Sequence, residues 1–227
     1  MTYLDYLLLS FKTDRNVEIG QCWVSDIISE EYNKRFSPAR NHKNISPGTI
    51  DKNHHAYFYP RLQYKVVRNS PMIASVVEGC DLLWDLYEKL GQTNGNLTEW
   101  KITERRLIDK KTPFGIIDEY KKYRFLTPWL ALPEEDFKIY LTVDDAGKEK
   151  MLTNVIEGHI RSMADSLEYH LNGKLRVKLI IKPNYIFQRD IHYAGMLGSF
   201  IANFEIPNFL GIGKSVSRGF GTIKQVQ

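Results

Sequence analysis

The sequence predicts an α+β fold made of two tandem ferredoxin-like (RRM-like, βαββαβ) domains, followed by a C-terminal glycine-rich loop. The first half of the chain has the element order β-α-β-β-α-β, which is typical of that fold. A charged, Pro- and Gly-containing segment at 110–122 resembles a linker, and a similar pattern restarts after it. We therefore expect domains at 1–118 and 119–227, and a single α+β domain of the same content is the alternative.

The elements of the first half follow from apolar patterning and local stop signals. A Leu- and Tyr-rich run predicts the first strand, and Ser25 is a good N-cap for the first helix. The residues between Ser37 and His55 include two prolines, a glycine and three histidines, which predicts a long loop. The predicted elements are strand 3–11, helix 25–36, strand 57–67, strand 71–77, helix 80–90 and strand 97–108.

The second half shows one long amphipathic helix and several alternating strands. The predicted elements are strand 123–132, helix 148–171, and strands 175–182, 186–193, 197–206 and 220–226. A second helix is hard to find, and a short turn within 207–214 is the best candidate for its place.

Composition excludes several classes of protein. The two cysteines, Cys22 and Cys80, are too far apart for a CxxC motif, which excludes zinc ribbons, iron–sulfur sites and thioredoxin-like chemistry. The chain is long enough to fold without disulfides, so we expect a reducing, cytoplasmic setting. The first apolar run contains Asp5 and lacks a basic leader, and no run approaches the roughly 20 apolar residues of a membrane span. We expect no membrane association and no cofactor.

The net charge of +4 hides a strong polarisation along the chain. The window 34–68 carries eight basic residues and one acid, a net charge of +7, and it also contains several tyrosines. The window 174–227 carries eight basic residues and two acids, a net charge of +6, which leaves −9 for the remainder. Cations interleaved with aromatic rings suit single-stranded nucleic acid, although two solvated strand faces would have the same composition.

The segment 211–221 contains four glycines, a lysine, an arginine and two serines. Glycine lets the backbone approach a phosphate closely, and a tight turn before the last strand is the structural alternative. The Gly213-Lys214-Ser215 triplet is not a Walker motif, because Asn208 stands where the first glycine belongs and only 12 residues follow. The dinucleotide fingerprint fails as well, since Val216 replaces its third glycine.

The loop histidines are candidates for acid–base chemistry. A ribonuclease that uses no metal needs a base for the 2′-hydroxyl, a cation for the phosphorane and an acid for the 5′-oxygen. His42 lies among cations that favour its neutral, basic form, and His54 and His55 precede the aromatic strand. Solvated loop histidines are the alternative, and the spacing does not favour a metal site. His159 and His170 fall on the long helix, where we expect packing or surface roles.

Four segments resemble a known family. The run from Ile206 to Ile223 resembles the glycine-rich loop of the RAMP superfamily. The predicted strand Tyr57-Phe-Tyr-Pro-Arg-Leu-Gln-Tyr-Lys65 resembles a strand of one family within that superfamily. The predicted helix 154–163 and the loop Arg40-Asn41-His42 resemble a helix and a histidine loop of the same family. This family is the "b" branch of the Cas proteins numbered six, which are CRISPR repeat-processing endoribonucleases.

The resemblance implies metal-independent cleavage of CRISPR repeat RNA by attack of a 2′-hydroxyl, giving a 2′,3′-cyclic phosphate. It implies that His42 is the general base and that Tyr57 is a donor or acid. The loop before the strand is longer than the family pattern, and this departure keeps His54 open as the alternative base. The resemblance further implies RNA contacts from a set of polar residues: Arg40, Lys43, Arg61, Lys65, Lys214, Ser215 and Arg218. The partner that the resemblance implies is CRISPR repeat RNA, single-stranded or in a weak hairpin. Other CRISPR-associated proteins and a second copy in a homodimer are compatible partners.

A second departure from the family pattern keeps an alternative function open. Arg40 stands where the first histidine of the family loop belongs. A non-cleaving RAMP-type RNA-binding subunit of a CRISPR effector complex is therefore the second hypothesis. An unrelated nucleotide-binding enzyme is the third.

Overall fold

The structure is a computed structural model that describes residues 1–17, 59–92, 100–180, 186–188 and 191–226. The chain divides into two compact units. The N-terminal unit contains Leu4–Thr112 and Ser217–Gly219, and the C-terminal unit contains Met1–Tyr3, Pro113–Val216 and Phe220–Gln227. Helices and antiparallel sheets occur in both units, which confirms the α+β class.

The described residues form ten strands, three helices and one 3-10 turn. The strands are β1 (Thr2–Thr13), β2 (Leu62–Val67), β3 (Ser70–Val76), β4 (Ile102–Phe125), β5 (Trp129–Pro133), β6 (Val177–Ile180), β7 (Ile186–Gln188), β8 (Ile191–Met196), β9 (Ser199–Glu205) and β10 (Ile223–Val226). The helices are α1 (Gly79–Gln92), α2 (Glu134–Thr142) and α3 (Asp145–Ser166), and the 3-10 turn is Val216–Arg218.

The N-terminal unit has an antiparallel sheet in the order β2-β3-β1-β4. Leu9 pairs with Ile73, and Ile73 pairs with Tyr64, so these three side chains lie on one face. They belong to a buried apolar cluster with Leu82 and Leu86 of α1. Asp81 in the first turn of α1 and Lys89 in its last turn complement the helix dipole.

The prediction of a linker at 110–122 is wrong, because these residues lie inside β4. Gly115 has a φ of +121°, and the pairing of β4 with β9 shifts register between Ile116 and Lys121. A Cβ on Gly115 would lie 2.4 Å from the Tyr169 ring, whose hydroxyl accepts a 2.9 Å bond from the Ile116 amide. Glycine here marks a bulge that an aromatic ring covers, and not a chain break.

In the C-terminal unit the second part of β4 lies between β10 and β9, and β9 pairs with β6. A separate three-stranded sheet has the order β5-β8-β7. Helix α3 packs on β5 and β6 and buries Ile156, Ile160 and Met163. Its N-cap is Asp144, whose side chain accepts a 2.8 Å bond from the Gly147 amide.

Other predictions for the second half need correction. The single strand predicted at 123–132 is two strands, because the chain leaves β4 after Phe125 and begins β5 at Trp129. Helix α2 was not predicted, and α3 begins at Asp145 and ends at Ser166 instead of covering 148–171. The helix predicted at 25–36 lies outside the described residues. Among the residues that the structure describes, no helix is long and apolar enough to cross a membrane.

Candidate nucleic-acid interface

Strand β2 has one apolar face and one polar face, and both are buried. Leu62, Tyr64 and Val66 point into the apolar cluster, as expected from the period of two along a strand. Gln63 and Lys65 alternate with them, and neither side chain is exposed at all. A lysine is rarely buried without a partner, so this polar face is an unusual feature of the unit.

The buried polar groups of β2 form a short chain of hydrogen bonds. Nζ of Lys65 donates to Oε1 of Gln63 at 2.9 Å, and Nε2 of Gln63 donates to the carbonyl of Pro60 at 3.0 Å. Burial lowers the pKa of Lys65 from 10.5 to about 7, because the charged ammonium is poorly solvated there. Burial therefore favours the neutral amine at a pH well below the one at which an exposed lysine loses its proton.

Arg61 holds the residues before β2 in place through two hydrogen bonds. Its Nε donates to Oε1 of Glu78 at 2.9 Å, and its Nη1 donates to the carbonyl of Tyr59 at 3.1 Å. Gly79 lies so close that an added Cβ would be 2.4 Å from the Arg61 carbonyl oxygen. Arg61 is 5% exposed, so in this structure its guanidinium joins the start of β2 to the start of α1.

Residues Ser217–Gly219 of the glycine-rich segment belong to the N-terminal unit, where Gly219 lies against β2. Gly219 has a φ of +92°, and a Cβ there would lie 3.1 Å from the Tyr64 carbonyl oxygen and 3.3 Å from Cα of Lys65. Arg218, the preceding residue, is exposed. A side chain at this positive φ would be strained and would crowd the strand, so glycine is favoured here, directly after the exposed Arg218 in the chain.

The rest of the glycine-rich segment folds back on itself in the C-terminal unit. The Ile212 amide donates to the Gly221 carbonyl at 2.9 Å, and the Ile223 amide donates to the Leu210 carbonyl at 3.0 Å. Gly221 has a φ of +62°, and a Cβ there would lie 1.9 Å from the Ile212 carbonyl oxygen. The turn between these paired residues carries Lys214 and Ser215, and Ser215 itself has a φ of +55°.

The predicted site residues fall into three groups. Arg61, Lys65 and Arg218 belong to the N-terminal unit, while Lys214 and Ser215 belong to the C-terminal unit. The five remaining residues, Arg40, His42, Lys43, His54 and Tyr57, lie outside the described residues. Within the described part of the chain, no group of three or more His, Cys, Asp or Glu side chains is arranged to hold a metal ion.

Two features of this region were not singled out from the sequence. Gln63 was not assigned a role, although its spacing of two from Lys65 on a predicted strand places both side chains on one face. Half-buried Lys214 has a lowered pKa, because burial disfavours its charge, and this depends on neighbours distant in the chain.

Comparison with known proteins supports a single family for the whole chain. Residues 2–113 match the Cas6b N-terminal domain, and residues 115–226 match the Cas6b C-terminal domain. A curated relative, an uncharacterized protein of Methanocaldococcus jannaschii, is 36% identical over 115 residues, which is 50% of this chain and 78% of the relative.

Solved structures resemble the entire fold. A crystal structure of Cas6b is 29% identical with a TM-score of 0.76, and it covers 99% of this chain and 100% of that one. A crystal structure of the CRISPR RNA processing endoribonuclease Cas6b is 28% identical, with a TM-score of 0.72 and the same coverage. Both halves of the chain match the two domains in order, and the protein therefore belongs to the Cas6b family.

Proposed function

We propose that this protein is an endoribonuclease that cleaves CRISPR repeat RNA and uses no metal ion. The observation that carries the proposal is Gly219, whose backbone packs on the strand of Gln63 and Lys65 within the N-terminal unit and directly follows the exposed Arg218. A similar structure that spans 99% of this chain is a CRISPR RNA processing endoribonuclease, which supports the same activity.

In the proposed reaction the 2′-hydroxyl upstream of the scissile phosphate attacks phosphorus. The bond from phosphorus to the 5′-oxygen breaks, leaving a 2′,3′-cyclic phosphate on one product and a 5′-hydroxyl on the other. His42 takes the proton of the 2′-hydroxyl, with His54 as the alternative base, and Tyr57 supplies a proton toward the 5′-oxygen.

The RNA-binding residues of the proposal differ in how they reach phosphate. Arg218 is exposed and Lys214 is half-buried, so we assign direct phosphate contacts to these two first, with Ser215 between them in the chain. Arg61 and Lys65 are buried, and their proposed role is to fix the strand against which Gly219 packs. Arg40 and Lys43 complete the proposed set of cations near His42.

The domain organisation is part of the proposal. Counted only among the strands of its own sheet, each half has the order fourth, first, third, second: β4-β1-β3-β2 and β10-β4-β9-β6. This order supports two tandem ferredoxin-like domains at 1–118 and 119–227, with the glycine-rich segment in place of the second helix of the latter. We place the activity in the cytoplasm, with the repeat RNA, other CRISPR-associated proteins and a second copy of the chain as partners.

Incubation of the purified protein with its cognate repeat RNA in excess EDTA tests the proposal. We expect a single cut, a product end that resists ligation until the cyclic phosphate is removed, and full activity in the chelator. A gel shift with intact RNA would instead identify a non-cleaving RNA-binding subunit. Binding of a free nucleotide with no response to RNA would contradict both.

A further inference from the structure

Trp129 and His159 are joined by a hydrogen bond in the C-terminal unit. The Nε1 of Trp129 donates to Nδ1 of His159 at 3.2 Å, and the two rings meet edge to face at 86°. Trp129 is fully buried and stacks on Phe125 at 5.3 Å, with an angle of 2° between the planes. The indole is therefore a rigid donor that sets the orientation of the imidazole.

This bond determines which nitrogen of His159 carries a proton. Because Nδ1 accepts from the indole, the proton of the neutral ring lies on Nε2. Burial, and then the charge of Lys214, lower the pKa of His159 to about 4. At pH 7 the imidazole is neutral, and its remaining polar group is an N–H donor.

The glycine-rich segment brings a cation to the same ring system. Gly213 has a φ of +100°, and a Cβ there would lie 2.9 Å from Cδ1 and Nε1 of Trp129. The backbone thus rests on the edge of the indole, and the next residue is Lys214. An anion bound near the half-buried ammonium of Lys214 would favour its charged form.

We propose that Nε2–H of His159 and the ammonium of Lys214 together bind one phosphate group of the RNA, with Trp129 as the residue that positions the imidazole. The inference rests on the proposed function, which supplies RNA as the ligand. A neutral N–H donor and an ammonium together recognise an oxyanion and offer nothing to a cation. This subsite gives His159 a role other than the packing or surface role expected from the sequence.

Affinity measurements with a repeat RNA that carries 2′-O-methyl groups, and so resists cleavage, test this subsite. We expect His159→Ala to weaken binding about 10-fold without changing the salt dependence, because a neutral donor displaces no counterion. Lys214→Ala should lower the salt slope by about 0.7, the value for one phosphate of a single strand. The matched control is His170→Ala, since His170 is an exposed histidine of the same unit.

A double-mutant cycle separates a shared ligand from loss of packing. If both side chains bind one phosphate, the His159→Ala and Lys214→Ala effects on affinity are non-additive by several-fold. Additive effects, or a folded His159→Ala protein that binds as well as His170→Ala, would overturn the subsite.

Two further measurements keep the test decisive if His159→Ala does not fold. Trp129→Phe keeps the stacked ring but removes the indole N–H, and we expect it to weaken RNA binding several-fold. In the wild-type protein, the ¹⁵N resonances of His159 should report the Nε2–H form and shift when RNA is added. If the ¹⁵N resonances of His159 do not change at saturating RNA, the subsite is overturned but the proposed function is not. If the wild type does not bind RNA at all, the proposed function is overturned.

Discussion

Nζ of Lys65 donates a 2.9 Å hydrogen bond to Oε1 of Gln63, and both side chains are fully buried on one face of β2. An amine in such surroundings loses much of its solvation, and its pKa falls to about 7. In the unfolded chain the pKa of Lys65 returns to its ordinary value of 10.5. Folding is therefore linked to the protonation of this single group, with consequences for stability that can be measured.

The stability of the protein should rise with pH above neutrality because of Lys65. Between pH 7 and about 10 the unfolded state binds a proton that the folded state does not, so the free energy of unfolding increases with pH. The expected slope is about 1.4 kcal/mol per pH unit, and it fades as the pH falls below the folded-state pKa of about 7, where both states become protonated. Denaturant unfolding of the wild type and Lys65→Met at several pH values measures it as a difference.

The exposed Lys224→Met is the matched control for that experiment. It should leave the pH dependence of the wild type unchanged, while Lys65→Met flattens it. Parallel curves for the wild type and Lys65→Met would show that the buried amine does not titrate in this range.

Two glycine-to-alanine substitutions should act in opposite directions. Gly219→Ala adds a Cβ 3.1 Å from the Tyr64 carbonyl oxygen at a φ of +92°, so we expect a loss of about 1–3 kcal/mol in the free energy of unfolding. RNA binding should weaken as well, because Arg218 loses its position. Gly158→Ala is the control: it lies in α3 with nothing within 4 Å of the added Cβ, and we expect a gain of about 0.5–1 kcal/mol. Equal effects of the two substitutions would contradict the packing described for Gly219.

The general base of the proposed reaction is testable by substitution. His42→Ala should lower single-turnover cleavage of the repeat RNA by roughly 10²-fold or more, as for loss of a general base, with little change in affinity. His54→Ala is the comparison variant. Full activity in His42→Ala together with a large loss in His54→Ala would transfer the role to His54.

Arg218 should contribute a phosphate contact with a measurable salt signature. Arg218→Ala is expected to weaken RNA binding and to lower the slope of log affinity against log salt by about 0.7. Affinity for the repeat RNA at four salt concentrations measures this slope. Arg161→Ala is a control on the exposed surface of α3 and should leave the slope unchanged. An unchanged slope in Arg218→Ala would remove this residue from the RNA contacts.

Local patterns predicted many of the elements but not their connections. Strand β1 and helix α1 follow from apolar patterning, and both were predicted close to their observed limits. The error at β4 arose because Pro113 and Gly115 resemble a linker when only neighbours in sequence are considered. Pairing with β9 and β10, and the Tyr169 ring against Gly115, keep that segment in the sheet.

The site shows the same division between sequence and structure. The sequence alone identified an uneven charge distribution, a glycine-rich segment with cations and the Gln63-Tyr64-Lys65 strand. These features depend only on the types and order of neighbouring residues. Only the tertiary structure decided that Lys65 is buried, that Gly219 packs on its backbone, and that Trp129 orients His159 near Lys214. The physical reason is that burial, close approach and pKa depend on atoms far away in the chain, which meet only when the sheets form.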